Sequence, residues 1–156
     1  MNAPPSIRLL GASDAPALRQ MLGLFSEAFD DPESYLNHQP SDAYLTRLLA
    51  SDTFIAVAAF AAGQVVGGLT GYVLPKFEQE RSEFYIYDLA VAADVRRQGI
   101  ATELISTIKR IAKQRGIYVI FAQADDGDDS AVALYTKLGT REDVMHYDIL
   151  PEHQST

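Results

Sequence analysis

The segment spanning residues 83–121 constrains the fold more than any other part of this chain. Residues 83–91 are dense in aromatic and branched side chains, which favour β-strands. Residues 99–115 carry apolar side chains at helical spacing, and Gly116 is typical of a helix end. Residues 117–121 are continuously apolar, which predicts a strand buried on both faces. A strand, a helix and a second strand in this order indicate an α/β domain.

The rest of the chain supplies further strands and helices. Four more strands are predicted from β-favouring residues, at 7–10, 53–59, 65–74 and 144–150. Three more helices are predicted from apolar spacing: one capped by Ser13 or Asp14, one starting at 40–42, and one over 130–138. The first of these ends at Asp30-Asp31-Pro32, before a polar loop over 33–39. The order β-α-α-β-β-β-α-β-α-β predicts a three-layer α/β fold with a mixed sheet.

Composition narrows the function classes. The 156 residues suit one domain, 1–156, with flexible ends at 1–6 and 151–156. A net charge of −8 argues against a nucleic-acid binder and is compatible with a cationic partner, although it can also serve solubility alone. Cysteine is absent, which excludes disulfides and thiolate catalysis. No apolar stretch is long enough for a membrane span and no signal peptide is evident, so a cytoplasmic location is expected.

A glycine-containing turn lies between the third long strand and the amphipathic helix. It reads Arg96-Arg97-Gln98-Gly99-Ile100-Ala101. The first turn of a helix has unpaired N–H groups and a partial positive charge, and a glycine lets an anion approach them closely. The segment lacks the glycine patterns of the Rossmann fold and of the P-loop. The turn therefore predicts a pyrophosphate site, with a plain turn as the alternative.

The motifs in and after this turn resemble those of one known superfamily. Arg96-x-x-Gly99-x-Ala101 resembles motif A of the GNAT N-acetyltransferases, and Ala131-x-x-Leu134-Tyr135-x-Lys137-x-Gly139 resembles their motif B. The resemblance extends to aminoglycoside (gentamicin) 3-N-acetyltransferases over about residues 7–149. It is carried by the stretches 44–58, 85–91, 123–129 and 141–146.

This resemblance implies acetyl-CoA as co-substrate and direct attack of a substrate amine on the thioester, with no acetyl-enzyme. It also implies a mixed, mainly antiparallel sheet that splays between the strands at 83–91 and 117–121, and a homodimer. The residues expected to bind acetyl-CoA are Leu89, Ala90, Val91, Arg96, Arg97, Gln98, Gly99, Ile100, Ala101, Thr102 and Asp128.

Two residues are the catalytic candidates. Asp88 is expected to act as a base or to bind the amine, because strands disfavour aspartate and this one stands among Tyr and Leu. Tyr135 corresponds to the tyrosine that protonates the leaving thiolate in the family, and its alternative is a packing role on its helix. The expected substrate contacts are Glu83, Tyr87, Asp88, Asp125, Asp126 and Asp129. The alternative for the acidic loop is a solvated turn in which Asp129 caps the next helix.

The leading hypothesis is acetylation of the 3-amino group of an aminoglycoside antibiotic, which would confer resistance. A GNAT enzyme acting on a polyamine or a protein amine, and a non-catalytic acyl-CoA-binding sensor, are the alternatives. The three histidines, His38, His146 and His153, do not have the spacing of metal ligands, so no metal is expected.

Overall fold

The computed structural model describes residues 3–152, which divide into two compact units at Gln123. The first unit contains nine of the ten main elements: β1 (Ser6–Leu9), α1 (Ala15–Phe29), α2 (Pro32–Tyr35), α3 (Asp42–Ala50), β2 (Phe54–Ala61), β3 (Gln64–Pro75), β4 (Ser82–Val91), α4 (Ile100–Arg115) and β5 (Ile117–Ala122). The second unit contains α5 (Asp129–Leu138). No helix in the described part of the chain is long and apolar enough to cross a membrane.

The five strands form one mixed sheet in the order β1-β2-β3-β4-β5. The first four strands pair antiparallel, and β5 pairs parallel with β4. The mixed, mainly antiparallel sheet predicted from the sequence is confirmed.

Helices cover both faces of this sheet, as the three-layer prediction requires. On one face, a side chain added at Gly68 would meet Met21 of α1. On the other face, a side chain added at Gly67 would meet Ile100 and Leu104 of α4. Gly67 and Gly68 are neighbours on β3, so their opposite contacts show which helix lies on which side. Asp88 faces the α1 side, because it pairs with Thr70, two residues beyond Gly68.

Three local predictions are wrong. Residues 33–39 do not form only a loop, because Asp31 caps the short helix α2 by accepting a hydrogen bond from the Ser34 amide. The strand β5 is not buried on both faces, since Tyr118 and Val119 are 46% and 39% exposed. It is the edge strand of the described sheet, and an apolar run does not reveal how many faces are covered.

The third wrong prediction is the last strand. Residues 140–150 adopt no strand, and Val144, Met145 and Ile149 are at least 70% exposed. Alternating apolar residues favour a strand only where another strand offers hydrogen bonds, and none of the described strands pairs with this segment. At the N-terminus, Ser6 belongs to β1 rather than to a flexible end. Of the other predicted end residues, 3–5, 151 and 152 belong to no helix or strand, and 1, 2 and 153–156 lie outside the described residues.

Candidate active site

A β-bulge in β4 determines which side chains surround Asp88. Thr70 pairs with Asp88, but the next residue, Gly71, pairs with Ile86, so Tyr87 is one extra residue in the strand. An extra residue interrupts the alternation of side chains between the two faces of a sheet. Tyr87 and Asp88 therefore lie on the same face, the α1 face, although they are adjacent in sequence.

Gly71 is the residue opposite this bulge, and its lack of a side chain is a steric requirement. A Cβ there would stand 2.3 Å from the Phe84 ring and 2.3 Å from the Tyr85 carbonyl oxygen. Neither group can move far, because Phe84 is fully buried and the carbonyl belongs to the main chain. Gly71 thus permits the close approach of β3 and β4 at the bulge.

Asp88 is half-buried and makes one side-chain hydrogen bond. The Tyr35 hydroxyl, at the end of α2, donates to Asp88 Oδ1 at 2.8 Å. Burial raises the pKa of Asp88 above its ordinary value, while the bond from Tyr35 opposes that rise. The result is a carboxylate that is more basic than a solvated one and is held in place by a donor.

Four of the eight tyrosines of the chain lie around this carboxylate, and Tyr44 lies near one of them, Tyr72; we call these five the tyrosine cluster: Tyr35, Tyr44, Tyr72, Tyr85 and Tyr87. The pKa of Tyr72 is raised by burial and then by the charges of Asp88, Tyr87 and Tyr44. The pKa of Tyr85 is raised by burial and then by Tyr87 and Asp88. Of these five, the sequence analysis identified only Tyr87 as a candidate.

Tyr35 could have been found from a local signal. Asp31-Pro32 marks the end of α1, but an aspartate followed by proline is also a typical helix start, with the proline in the first helical position. That second interpretation predicts α2 and with it the placement of Tyr35. Tyr44 and Tyr72 carry no such signal, because only the sheet register brings Tyr72 to Asp88 and only the packing of α3 brings Tyr44 to Tyr72.

The predicted splay of the sheet is present beside Asp88. The pairing of β4 with β5 ends at Ile86, opposite Ala122. Successive amides of a strand point alternately toward its two neighbouring strands. The Ala92 amide donates to the Val66 carbonyl on β3, so the amides of Leu89 and Val91 point away from β3. They therefore point toward the side where β4 no longer pairs with β5. The Val91 carbonyl, on that same side, accepts a hydrogen bond from Arg96 Nε at 3.2 Å.

The turn that leads into α4 has the backbone geometry of an anion site, and we call residues 96–102 the donor turn. Gly99 caps α4 with φ 81°, and Arg97 has φ 65°. No side chain caps this helix, and a Cβ added at Gly99 would meet nothing within 4 Å. The first N–H groups of a helix lack intrahelical partners, and here no side chain caps them. The donor turn fits a pyrophosphate.

Main-chain and side-chain roles can be separated within the predicted acetyl-CoA site. Ile100 and Ala90 are 4% and 8% exposed, so their side chains belong to the core and only their main-chain groups can bind a ligand. Arg96, Arg97 and Gln98 are exposed, and Ala101 and Thr102 are half-buried in the first turn.

Glu83 is not close to Asp88. It stands near the start of β4, and five residues of strand correspond to roughly 17 Å. Its carboxylate accepts a hydrogen bond from the Tyr118 hydroxyl at 2.6 Å and lies 3.7 Å from Lys76 Nζ. Its role in substrate binding stays a prediction.

The second unit contains the acidic loop and Tyr135. Asp128, rather than Asp129, caps α5 by accepting from the Ala131 amide at 3.2 Å, and Asp129 is the first helical residue. Asp125, Asp126 and Asp129 are exposed. Tyr135 is half-buried on α5, and burial with the nearby Asp128 charge raises its pKa to about 12. Its phenol is therefore protonated at neutral pH and can donate a proton.

The histidines take part in surface contacts. His38 Nε2 lies 2.9 Å from Glu33 and His146 Nε2 lies 2.9 Å from Asp148, while His153 lies outside the described residues. Within residues 3–152, no group of three or more His, Cys, Asp and Glu side chains is arranged to hold a metal ion.

Comparison with known proteins identifies the family. The sequence pattern of the Acetyltransferase (GNAT) family matches residues 18–140. The chain therefore belongs to the GNAT acetyltransferase family.

Several solved structures and curated proteins are similar to this chain. An aminoglycoside acetyltransferase from an uncultured soil metagenomic sample is 51% identical over 96% of this chain and 100% of its own, with a TM-score of 0.93. A second such enzyme from an uncultured soil metagenomic sample, solved in complex with sisomicin, is 31% identical over 95% of this chain and 97% of its own, with a TM-score of 0.88. An L-methionine sulfoximine/L-methionine sulfone acetyltransferase of Pseudomonas aeruginosa is 27% identical over 86% of this chain and 78% of its own length.

Proposed function

We propose that the protein transfers the acetyl group of acetyl-CoA to the 3-amino group of an aminoglycoside antibiotic by direct attack, and so confers resistance. The observation that carries the acceptor assignment is the bulge in β4, which puts the Asp88 carboxylate among four tyrosines. The similarity to two aminoglycoside acetyltransferases supports the substrate class. The position of the acetylated amine rests on the sequence resemblance alone.

Acetyl-CoA supplies a thioester, and three groups of this chain would hold it. The N–H groups of the donor turn suit its pyrophosphate, with Arg96 and Arg97 adding positive charge. The amides of Leu89 and Val91 suit carbonyl groups, because they point away from β3. Asp128 also remains a proposed contact, although its side chain caps α5.

Asp88 acts on the amine. An alkyl ammonium has a pKa near 10, so at neutral pH it must lose a proton before its lone pair can attack. Asp88 accepts that proton directly or through a water molecule. Its raised pKa suits this task, because proton transfer improves as the basicity of the acceptor approaches that of the donor.

Tyr135 acts on the leaving group of the reaction, the thiolate of CoA. When the new C–N bond forms and the C–S bond breaks, the departing thiolate needs a proton, and the neutral phenol of Tyr135 donates it. A thiol has a pKa of about 8.5, so the proton transfer from the half-buried phenol of Tyr135 to the thiolate is uphill, and bulk water then restores the phenol proton.

An acetyl-CoA consumption assay tests this proposal. The panel contains gentamicin, sisomicin, spermidine, a lysine peptide and L-methionine sulfoximine, and NMR of the product locates the acetyl group. Turnover with the aminoglycosides alone, on the 3-amino group, is the expected result. Turnover with spermidine or the peptide alone would favour the alternative substrates, and binding of acetyl-CoA without any turnover would favour a sensor.

We also propose that the protein forms a homodimer. Two unpaired elements support this: the outer edge of β5 has no neighbour among the described strands, and residues 144–150 expose alternating apolar side chains. Such edges and patches are typical of interaction surfaces. Light scattering is expected to give twice the mass of 17.1 kDa. A monomer at micromolar concentration would contradict this proposal.

A further inference from the structure

A continuous row of aromatic rings crosses the sheet beside Asp88, and we call it the aromatic row: Phe54, Tyr72, Tyr87, Tyr85 and Phe121. Neighbouring ring centroids lie 5.6, 5.6, 5.5 and 4.6 Å apart in that order. The row runs over β2, β3, β4 and β5, so it spans most of the width of the sheet.

Because of the bulge, β4 places two rings of this row, Tyr85 and Tyr87, on the same face of the sheet as the Asp88 carboxylate. Tyr85 pairs with Tyr72 across the strands, and the Tyr87 ring stands edge-on to the same Tyr72 ring at 88°. Without the extra residue, an alternating strand would send Asp88 to the face opposite Tyr85. The bulge therefore makes one surface that is aromatic and carries a negative charge.

Two rings at the centre of this row remain open to solvent. Tyr87 is 61% exposed and Tyr72 is 40% exposed, whereas Phe54 at the end of the row is 7% exposed. Both rings lie on the same face of the sheet as the half-buried carboxylate of Asp88. Core packing accounts for Phe54 but leaves the exposure of Tyr72 and Tyr87 unexplained.

The chemistry of this surface selects a particular kind of ligand. Aromatic faces attract ammonium groups and pack against apolar C–H surfaces, and a carboxylate attracts ammonium groups. A saturated ring that carries amines offers both features in one rigid unit. A linear polyamine offers the charge but no ring face, and a rigid ligand loses less conformational entropy on binding.

We propose that Tyr72 and Tyr87 form a stacking site that recognises the saturated ring bearing the reactive amine and thereby distinguishes cyclic from linear amines. This inference rests on the proposed function, because it assigns the substrate contact of the same site. Asp88 binds the ammonium group, and the two rings bind the face of the ring that carries it. A linear polyamine is then attracted to the site by its charge but makes no contact with the rings through a ring face.

Equilibrium binding to the full chain tests this inference. Isothermal titration of sisomicin and of spermidine is compared for the wild type, Tyr87→Leu, Tyr72→Leu and Phe77→Leu. Phe77 is fully exposed in the β3–β4 connection, so Phe77→Leu controls for the loss of an aromatic ring elsewhere. The Kd of CoA and the melting temperature show whether each variant is folded.

The expected result is a rise of about tenfold in the Kd of sisomicin for Tyr87→Leu, since the packing of an aromatic face against the apolar face of the ligand ring contributes roughly that factor. The Kd of spermidine should change less than about twofold, because spermidine offers no ring face for Tyr87 to pack against. Tyr87→Phe should lose less affinity than Tyr87→Leu, and Phe77→Leu should lose none.

The other outcomes separate the two proposals. Unchanged sisomicin binding in both leucine variants, with wild-type binding and turnover intact, would overturn the stacking site and leave the proposed function standing. An equal rise in Kd for spermidine and sisomicin would also overturn it, because the site would then recognise charge and not a ring. A wild type that neither binds nor acetylates any aminoglycoside would overturn the proposed function together with the inference.

Discussion

The donor turn and the tyrosine cluster are built in opposite ways. The donor turn consists of main-chain groups from one short segment, and its geometry depends on positive φ angles at Arg97 and Gly99. The tyrosine cluster consists of side chains from α2, α3, β3 and β4. The first site should therefore respond to changes in backbone conformation, and the second to changes in side-chain chemistry.

The largest effect is expected at the carboxylate. Asp88→Asn keeps the shape of the side chain but removes its charge and basicity, so kcat/KM for an aminoglycoside should fall by about a hundredfold or more. Steady-state kinetics measures the change, and Asp52→Asn serves as a control because Asp52 is exposed at the end of α3. An Asp88→Asn variant with wild-type kinetics would mean that neither base catalysis nor amine binding depends on this carboxylate.

Tyr135 extends the comparison to the second unit. Tyr135→Phe removes the proton donor and keeps the ring, so kcat should fall by about ten- to a hundredfold while the Kd of acetyl-CoA stays nearly unchanged. Rapid-quench or steady-state kinetics gives kcat, and calorimetry gives the Kd. Weaker acetyl-CoA binding with unchanged kcat would assign Tyr135 to packing instead.

Gly99 tests the main-chain site. Gly99→Ala puts a β-carbon at φ 81°, where L-residues are strained by about 1–2 kcal/mol. Because the methyl group would meet no atom within 4 Å, we expect strain without a clash and a rise of about tenfold in the KM of acetyl-CoA. Gly63→Ala is a matched control, since Gly63 has φ 76° and equal space but lies in the β2–β3 turn. It should lower the melting temperature and leave both KM values unchanged.

The smallest effect is a shift in pH dependence. The proposed mechanism uses ionised Asp88, so kcat/KM should fall as the pH drops through the pKa of Asp88, which burial raises. The Tyr35 bond favours the carboxylate, and its loss in Tyr35→Phe should raise the pKa further. The acidic limb of the pH–rate profile should therefore move to higher pH. At neutral pH, kcat/KM should fall by less than about tenfold. Tyr147→Phe is the control and should leave the acidic limb in place. An acidic limb that moves to lower pH in Tyr35→Phe would contradict the account.

The same contrast explains what could be predicted from the sequence. The donor turn could be proposed from the sequence because a main-chain site occupies consecutive residues, here 96–102. Asp88 could also be proposed, since a carboxylate among strand-forming residues is unusual. Tyr44, Tyr72 and Tyr85 were missed because their proximity depends on strand register and on a bulge, and neither has a local sequence signal.

The errors in the fold have a similar cause. The mixed sheet and its helices follow from periodicity, and the structure confirms them. The burial of β5 and the strand at 144–150 depended on which segments become neighbours, which periodicity does not describe.

Calorimetric titration of two ligands into two variants tests the central claim most directly. CoA and sisomicin are each titrated into Gly99→Ala and Asp88→Asn. The account predicts that Gly99→Ala weakens CoA binding and leaves sisomicin binding unchanged, while Asp88→Asn weakens sisomicin binding and leaves CoA binding unchanged. If each variant weakened both ligands to the same extent, the division into a main-chain donor site and a side-chain acceptor site would be wrong.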